Sequence, residues 1–296
     1  MPRRLVPGLV VCLYFLSAGV WAEEPAVKGS YFDSNGVKIH YVLLGKPDGE
    51  PVLLIHGFTL NIKAQWQPVI KALAQDYKVI AMDCRGHGDS EKPHDPKQYG
   101  LEMAKDAVRL LDHLKIDKAH IVGYSMGAGI TFQIAAHNPE RVRTATLGGG
   151  GMPLPERRKY MEAVADSLEQ GKGIGPLIAA LTPKDRPKPT DDQIKAINTI
   201  FMKGNDPKAL AAVMRGNLND KGLALSDEKI KAIKKPMLAL IGEVDPVRPG
   251  VDELKKRLPD LKVVVIDRAD HITAYGREEF VLALKEFLDE HRTGKK

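Results

Sequence analysis

Six short runs along the chain are apolar nearly throughout, at residues 52–55, 79–82, 120–122, 145–147, 237–241 and 263–266. None alternates apolar with polar residues, so each is expected to be covered on both faces, as strands are in a parallel sheet flanked by helices. Between these runs, residues 69–75, 101–114, 128–137 and 278–291 carry apolar side chains at spacings of three and four, which predicts helices with a buried face. Strand then helix, repeated, predicts an α/β fold with a mostly parallel, doubly wound sheet. Ahead of the first run, residues 30–44 hold two extended pieces joined by Asn35-Gly36, a pair that accepts the backbone of a tight hairpin. The sheet is therefore expected to begin antiparallel.

The rhythm breaks between Gly148 and Lys235. Four glycines, Gly148 to Gly151, lead into Met152-Pro153-Leu154-Pro155, and no strand pattern follows. Instead there are helical segments separated by Gly171-Lys172-Gly173, Arg186-Pro187-Lys188-Pro189 and Gly204-Asn205-Asp206-Pro207. Helices inserted between two strands predict a cap over the end of the sheet, hinged at the glycine run. The division is then a core of residues 23–150 and 235–296 with a helical cap at 151–234.

Residues 1–22 stand apart from this pattern. Arg3 and Arg4 precede an apolar run that ends in Val20-Trp21-Ala22, the layout of a secretory signal cut after a small residue. The run is shorter than the roughly 20 residues of a spanning helix, and Pro7 and Gly8 interrupt its start. A secreted or periplasmic protein without stable membrane insertion is expected, in preference to one held by an uncleaved anchor. The hydrophobic share of 43% and charged share of 28% exclude a disordered or collagen-like chain. The formal charge of +6 drops when the signal arginines are removed, and the remaining basic residues interleave with acidic ones, as in Lys203, Asp206 and Lys208. No phosphate-tracking surface is predicted, so nucleic acid is not an expected partner. Cys84 is the sole cysteine outside the signal, and the histidines lack metal-ligand spacing, so neither a disulfide nor a metal is expected.

The chemistry concentrates at the ends of the predicted strands. Gly123-Tyr124-Ser125-Met126-Gly127 lies between a strand and a helix, and there a serine on a strained turn projects its oxygen while flanking glycines let neighbouring backbone pass closely. The Met126 amide then lies at a helix start and can receive an oxyanion; the amide of Phe58, in His56-Gly57-Phe58, is the second candidate donor. A hydroxyl nucleophile needs a base and an orienting acid. His271 follows the run at 263–266 and Asp245 follows the run at 237–241, so both sit where a parallel sheet presents functional groups. Glu243 and Asp270 are alternative acids. His56 and His87 are expected to shape loops, while Trp66 and Tyr124 line either a substrate cavity or the core.

Together with Asp83-Cys84-Arg85-Gly86-His87-Gly88-Asp89-Ser90, these motifs occur in an order that resembles the α/β-hydrolase superfamily, in the serine hydrolase branch with a cap after the sixth strand. The resemblance covers roughly residues 31–288. It implies a triad of Ser125, Asp245 and His271, an oxyanion hole at Phe58 and Met126, and structural support from the Arg85-Gly86-His87-Gly88 loop. It also implies hydrolysis of a carboxylic ester or related small-molecule acyl substrate through an acyl-enzyme, with no cofactor. Similar cap-bearing relatives hydrolyse carbon–carbon bonds or form peracids with the same triad, and a ligand-binding protein of the same fold is a further alternative. Serine at the nucleophile position argues against the epoxide hydrolase and haloalkane dehalogenase branches, which use aspartate there. Asp270 departs from the common glycine before the histidine and is expected to favour the imidazolium.

The exported protein is expected to begin at Glu23. Amino-terminal sequencing of protein from the periplasm or medium checks this, and recovery of residues 1–22 on that protein contradicts it.

Overall fold

The computed structural model describes residues 29–293, so the signal expected at residues 1–22 lies outside the described residues. Eight strands, β1 (Ser30–Asp33), β2 (Lys38–Gly45), β3 (Glu50–Ile55), β4 (Tyr77–Met82), β5 (Ala119–Tyr124), β6 (Val142–Gly148), β7 (Met237–Gly242) and β8 (Lys262–Ile266), make one sheet. Their order is β1-β2-β4-β3-β5-β6-β7-β8. β2 runs antiparallel to β1 and β4, and every other pairing is parallel. The hairpin that starts the sheet turns at Asn35 (φ 57) and Gly36 (φ 82). It closes with Ser34 N donating to Val37 O at 2.8 Å and Val37 N to Ser34 O at 3.3 Å. Left-handed backbone at both central residues matches the twist of the flanking strands.

The helices are α1 (Ile62–Gln65), α2 (Gln67–Leu73), α3 (Leu101–His113), α4 (Met126–His137), α5 (Arg157–Glu169), α6 (Gly175–Leu181), α7 (Asp191–Phe201), α8 (Pro207–Asn219), α9 (Asp227–Lys231), α10 (Arg248–Arg257) and α11 (Glu278–Glu290). Both faces of the sheet are covered, as the unbroken apolar runs require. Leu53, Ile55 and Ile121 share a core with α3, α4 and α10, whereas Val52, Leu54 and Val122 share one with α2 and α11. No helix among the described residues is long and apolar enough to cross a membrane.

Helices α5 to α9 all lie between β6 and β7, and their attachment is uneven. On α8, Leu210, Ala211 and Met214 pack with Met161, Val164 and Leu168 of α5, while Ala212 and Val213 belong to the main core. Each fully buried large apolar side chain contributes about 1.5–3 kcal/mol, which fixes this half. Neither α6 nor α7 buries any residue, and Ile200 is 70% exposed. The glycine run expected as a hinge is clamped instead. A Cβ on Gly148 would lie 2.7 Å from the Tyr124 ring, and one on Gly151 would lie 2.4 Å from the Gly250 backbone. Gly149 N donates to Leu240 O and Met152 N to Gly250 O, both at 2.8 Å. These glycines serve close packing.

The loop after β4 is held by a buried ion pair. Arg85 Nε and Nη2 donate to the two oxygens of Asp106, each at 2.6 Å, and Ser34 Oγ donates to the same carboxylate at 2.5 Å. Both charged side chains are 1% exposed. Removing one partner leaves a buried charge uncompensated. Asp106→Ala is expected to lose about 3–5 kcal/mol in urea unfolding; a loss below about 1 kcal/mol, the range of surface pairs, means the pair does not hold the loop.

Candidate active site

Ser125 joins the end of β5 to the start of α4 with φ 53 and ψ −108. Non-glycine residues rarely adopt positive φ, and when they do at a strand end the surrounding structure enforces it. The enforcement here is steric. A Cβ on Gly123 would sit 2.0 Å from Gly127 O, and one on Gly127 would sit 2.0 Å from Ile55 O. Both flanking positions must be glycine for α4 to start this close to β3 and β5. Ser125 N then donates to Gly148 O at 2.7 Å, which pins the turn to β6 and leaves the side chain half-buried.

His271 and Asp245 reach this serine from the loops after β8 and β7. The Ser125 hydroxyl and His271 Nε2 are 2.9 Å apart, and His271 Nδ1 lies 2.9 Å and 3.2 Å from the two oxygens of Asp245. A carboxylate only accepts, so Nδ1 carries the ring proton and Nε2 is left to accept from the hydroxyl. His271 and Asp245 are 4% and 3% exposed. Asp245 Oδ1 also accepts from Val247 N at 2.9 Å, which orients the carboxylate. The other two acids face elsewhere. Glu243 accepts from Arg268 N on the surface at 2.9 Å, and Asp270 is occupied by its own turn and by Arg186.

That turn also qualifies the expectation for Asp270. Its Oδ1 accepts from Ile272 N, Thr273 N and Thr273 Oγ1 at 3.0, 2.9 and 2.8 Å, and its Oδ2 pairs with Arg186. Burial opposes ionisation, but these donors and the guanidinium outweigh it and hold the carboxyl below its ordinary value. The charge placed beside His271 in the sequence is thus neutralised by a residue of the inserted helices.

The two candidate oxyanion donors lie on either side of the serine. Gly57 is close enough that a Cβ there would be 3.5 Å from Ser125 Cβ. Its N–H donates to Gln65 Oε1 at 2.7 Å, and its carbonyl accepts from His56 Nδ1 at 2.7 Å. His56 Nε2 in turn accepts from Cys84 N at 2.9 Å, an arrangement that needs a neutral ring; burial lowers the His56 pKa and supplies one. Next to Phe58, Thr59 holds a left-handed backbone (φ 64) and donates its hydroxyl to Phe58 O at 2.6 Å. On the other side, no side chain caps α4, so the positive end of that helix and the Met126 amide are directed at Ser125. His87 packs edge-on against Phe58 and His56, with its pKa pushed down to about 3 by burial.

Three contributors were not legible in the sequence. Gln65 precedes the helix expected at residues 69–75 and carries no motif, and Arg186 falls in a proline-rich separator. The third is Tyr124, left open between cavity and core. It is buried, its ring lies 5.6 Å from the His271 ring, and its hydroxyl donates to His271 O at 2.7 Å. Trp66 belongs to the core below α2. Phe58, Met126, Met152 and Val247 are half-buried and pack against the main core, and Phe58, Leu177 and Phe201 each pack against the smaller core of α5 and α8. Among the described residues, His40, Asp83 and Asp89 have atoms close enough to share a cation. Asp83 already accepts from His40 Nδ1 at 2.8 Å and from the amides of Ile62 and Asp89, each at 2.9 Å.

Comparison with known proteins gives this geometry a setting. Residues 50–172 match the alpha/beta hydrolase fold family. The chain is 30% identical over 235 residues to 2-hydroxy-6-oxo-6-(2'-aminophenyl)hexa-2,4-dienoic acid hydrolase of Metapseudomonas resinovorans, covering 77% of this chain and 78% of that one. The chain belongs to the alpha/beta hydrolase fold family. This hydrolase is also 31% identical over 188 residues to the soluble epoxide hydrolase of Corynebacterium sp. (strain C12), where the match takes in 62% of this chain and 54% of the relative. Among solved structures, Est816, described as an N-acyl homoserine lactone degrading enzyme, superimposes with a TM-score of 0.68 and 28% identity over 87% of this chain and 100% of its own.

Tyr124→Phe leaves the buried His271 carbonyl without its donor. The hydrolase variant is expected to lose about 1–3 kcal/mol in urea unfolding; an unchanged midpoint shows that the contact does not hold the turn.

Proposed function

We propose that this hydrolase cleaves carboxylic esters or related acyl compounds through an acyl-enzyme formed on Ser125. The observation that carries the reading is the continuous hydrogen-bonded chain from the Ser125 hydroxyl through His271 to Asp245. His271 Nε2 takes the hydroxyl proton as Oγ bonds to the substrate carbonyl carbon, and the carbonyl electron pair moves onto its oxygen. The amides of Phe58 and Met126 receive that oxyanion. Its collapse breaks the bond to the leaving alkoxide, which takes the proton from His271. Water then attacks the acyl group with the same base, releasing the acid and restoring the serine. Asp245 holds the ring and stabilises its cation. Loss of one oxyanion donor costs about 3–4 kcal/mol; because both donors here are backbone, side-chain changes at Phe58 and Met126 act weakly on the chemistry.

An acyl substrate is supported by the half-buried apolar side chain of Met126 next to Ser125 and by the lactone-degrading activity in the description of Est816. The inserted helices act as a cap in this reading, and the pattern at residues 1–22 supports an enzyme working in the periplasm or outside the cell. A second reading, hydrolysis of a carbon–carbon bond beside a carbonyl, is favoured by the similarity to the dienoic acid hydrolase.

A fluorophosphonate probe is expected to label the purified hydrolase and not its Ser125→Ala variant. Absence of labelling in both forms favours a ligand-binding protein over an enzyme. Short p-nitrophenyl esters are expected to turn over faster than vinylogous diketones, and His271→Ala is expected to abolish both labelling and turnover. The opposite substrate ranking selects the carbon–carbon reading.

A further inference from the structure

Residues 171–205 contain the part of the insertion that buries least, and left-handed glycines mark both of its ends. Gly171 (φ 71) and Gly173 (φ 76) stand at the entry and Gly204 (φ 77) at the exit. A Cβ on Gly171 or Gly204 would meet nothing within 4 Å. These two positions need glycine for backbone freedom and not for packing, the reverse of the clamped run at residues 148–151. Between them, α7 is tied to the entry of α6: Asn198 of α7 accepts from Ile174 N at 2.9 Å and donates to Lys172 O at 3.3 Å.

Among the described residues, two polar contacts join this flap to the core, one to the loop after β3 and one to the loop after β8. At the exit, Asn205 Nδ2 donates to Thr59 O at 2.8 Å, one residue past Phe58. At the tip between α6 and α7, Arg186 pairs with Asp270, one residue before His271. Asp270 divides its carboxylate between tasks. Oδ1 gathers three donors that build the turn after His271, and Oδ2 faces the guanidinium. The Asp270 side chain is 9% exposed and that of Arg186 is 40% exposed. A nearly buried carboxylate oxygen requires a partner, while the partner, standing in water, leaves at little cost. Pro183, Pro187 and Pro189 restrict the backbone of the tip, and Arg186 N donates to Pro183 O at 3.0 Å. The arginine is therefore delivered by a stiff loop on a loosely seated pair of helices.

We propose that Arg186 is a positioning residue that couples the seating of the α6–α7 flap to the turn carrying His271. With the flap down, the carboxylate of Asp270 is fully partnered and the turn is set; with the flap up, Ser125 is open to substrate and the turn loses one of its supports. The consequence for turnover rests on the ester hydrolase reading above, whereas the contact itself does not.

The test is hydrogen exchange on the full chain, comparing wild type with Arg186→Gln, Arg186→Glu and Arg186→Lys. Amides within residues 176–201 are expected to exchange about two- to fivefold faster in the Gln and Glu variants, with Lys close to wild type and α5 and α8 unchanged. Salt at about 1 M is expected to move wild type part of the way toward Gln, because only the Arg186 end of the pair stands in water and is screened. In ester turnover, the Gln variant is expected to lower kcat severalfold with KM unchanged or reduced, and Lys to restore it. Equal exchange across the flap in all four proteins overturns the proposal, as does a Lys variant no better than Glu. If wild type neither reacts with the fluorophosphonate nor turns over esters, the functional reading fails, and the exchange comparison still decides the coupling.

Discussion

At Ser125 the chain passes from a strand to a helix with a backbone that side-chain-bearing residues avoid, and the rest of the site is arranged around that turn. Its closeness is set by two missing Cβ atoms. With Gly127 against the Ile55 carbonyl and Gly123 against the Gly127 carbonyl, α4 begins almost in contact with β3 and β5. That contact brings the start of α4 beside the loop after β3, so a helix end and a neighbouring strand end face the same hydroxyl. The strain in the turn is offset by Ser125 N donating to Gly148 O and by the packing of α4 on all sides.

The strands and the triad were legible because each is written in local chemistry. Runs such as residues 237–241 are apolar on both faces, and Asn35-Gly36 specifies its own turn. Ser125, Asp245 and His271 each follow such a run, which is where a parallel sheet exposes reactive groups. The failures have physical causes too. Helix α10 (Arg248–Arg257) buries only Gly250, Val251 and Leu254 and carries Pro249 and Gly250 in its first turn, so its sequence lacks a strong apolar stripe. Tyr124 and Arg186 act through a single long-range hydrogen bond and a long-range ion pair, whose partners nothing in the neighbouring residues encodes, and Gln65 acts through one bond back across a turn to Gly57. The glycines at 148–151 were read as freedom when Gly148, Gly150 and Gly151 provide proximity and Gly149 (φ 56) provides both, because composition does not distinguish an empty space from a full one.

That distinction organises the insertion. Glycines packed against Tyr124 and Gly250 fix where the insertion leaves the sheet, and apolar burial on α5 and α8 fixes half of it. The glycines at 171, 173 and 204 frame the half that buries nothing on its helices. Buried and unburied helices thus occur within one insertion, and the residues that mark their boundaries are the same amino acid in different surroundings.

The proposed chemistry divides between side chains and backbone in a way that bears on how the family varies. The hydroxyl, the imidazole and the carboxylate must be those groups, but both oxyanion donors are main-chain amides, held by His56, Gln65 and an uncapped helix end. Their function is set by the path of the chain and leaves the side chains of Phe58 and Met126 free to contact substrate. The insertion reaches the loops that carry the site through Asn205, which donates to Thr59 O, and Arg186, which pairs with Asp270. Relatives named for a dienoic acid, an epoxide and a lactone therefore need not differ in the sheet that presents the site. Those names differ in what is attacked, while in this chain the elbow between β5 and α4 is fixed by Gly123, Gly127 and the bond from Ser125 N to Gly148 O.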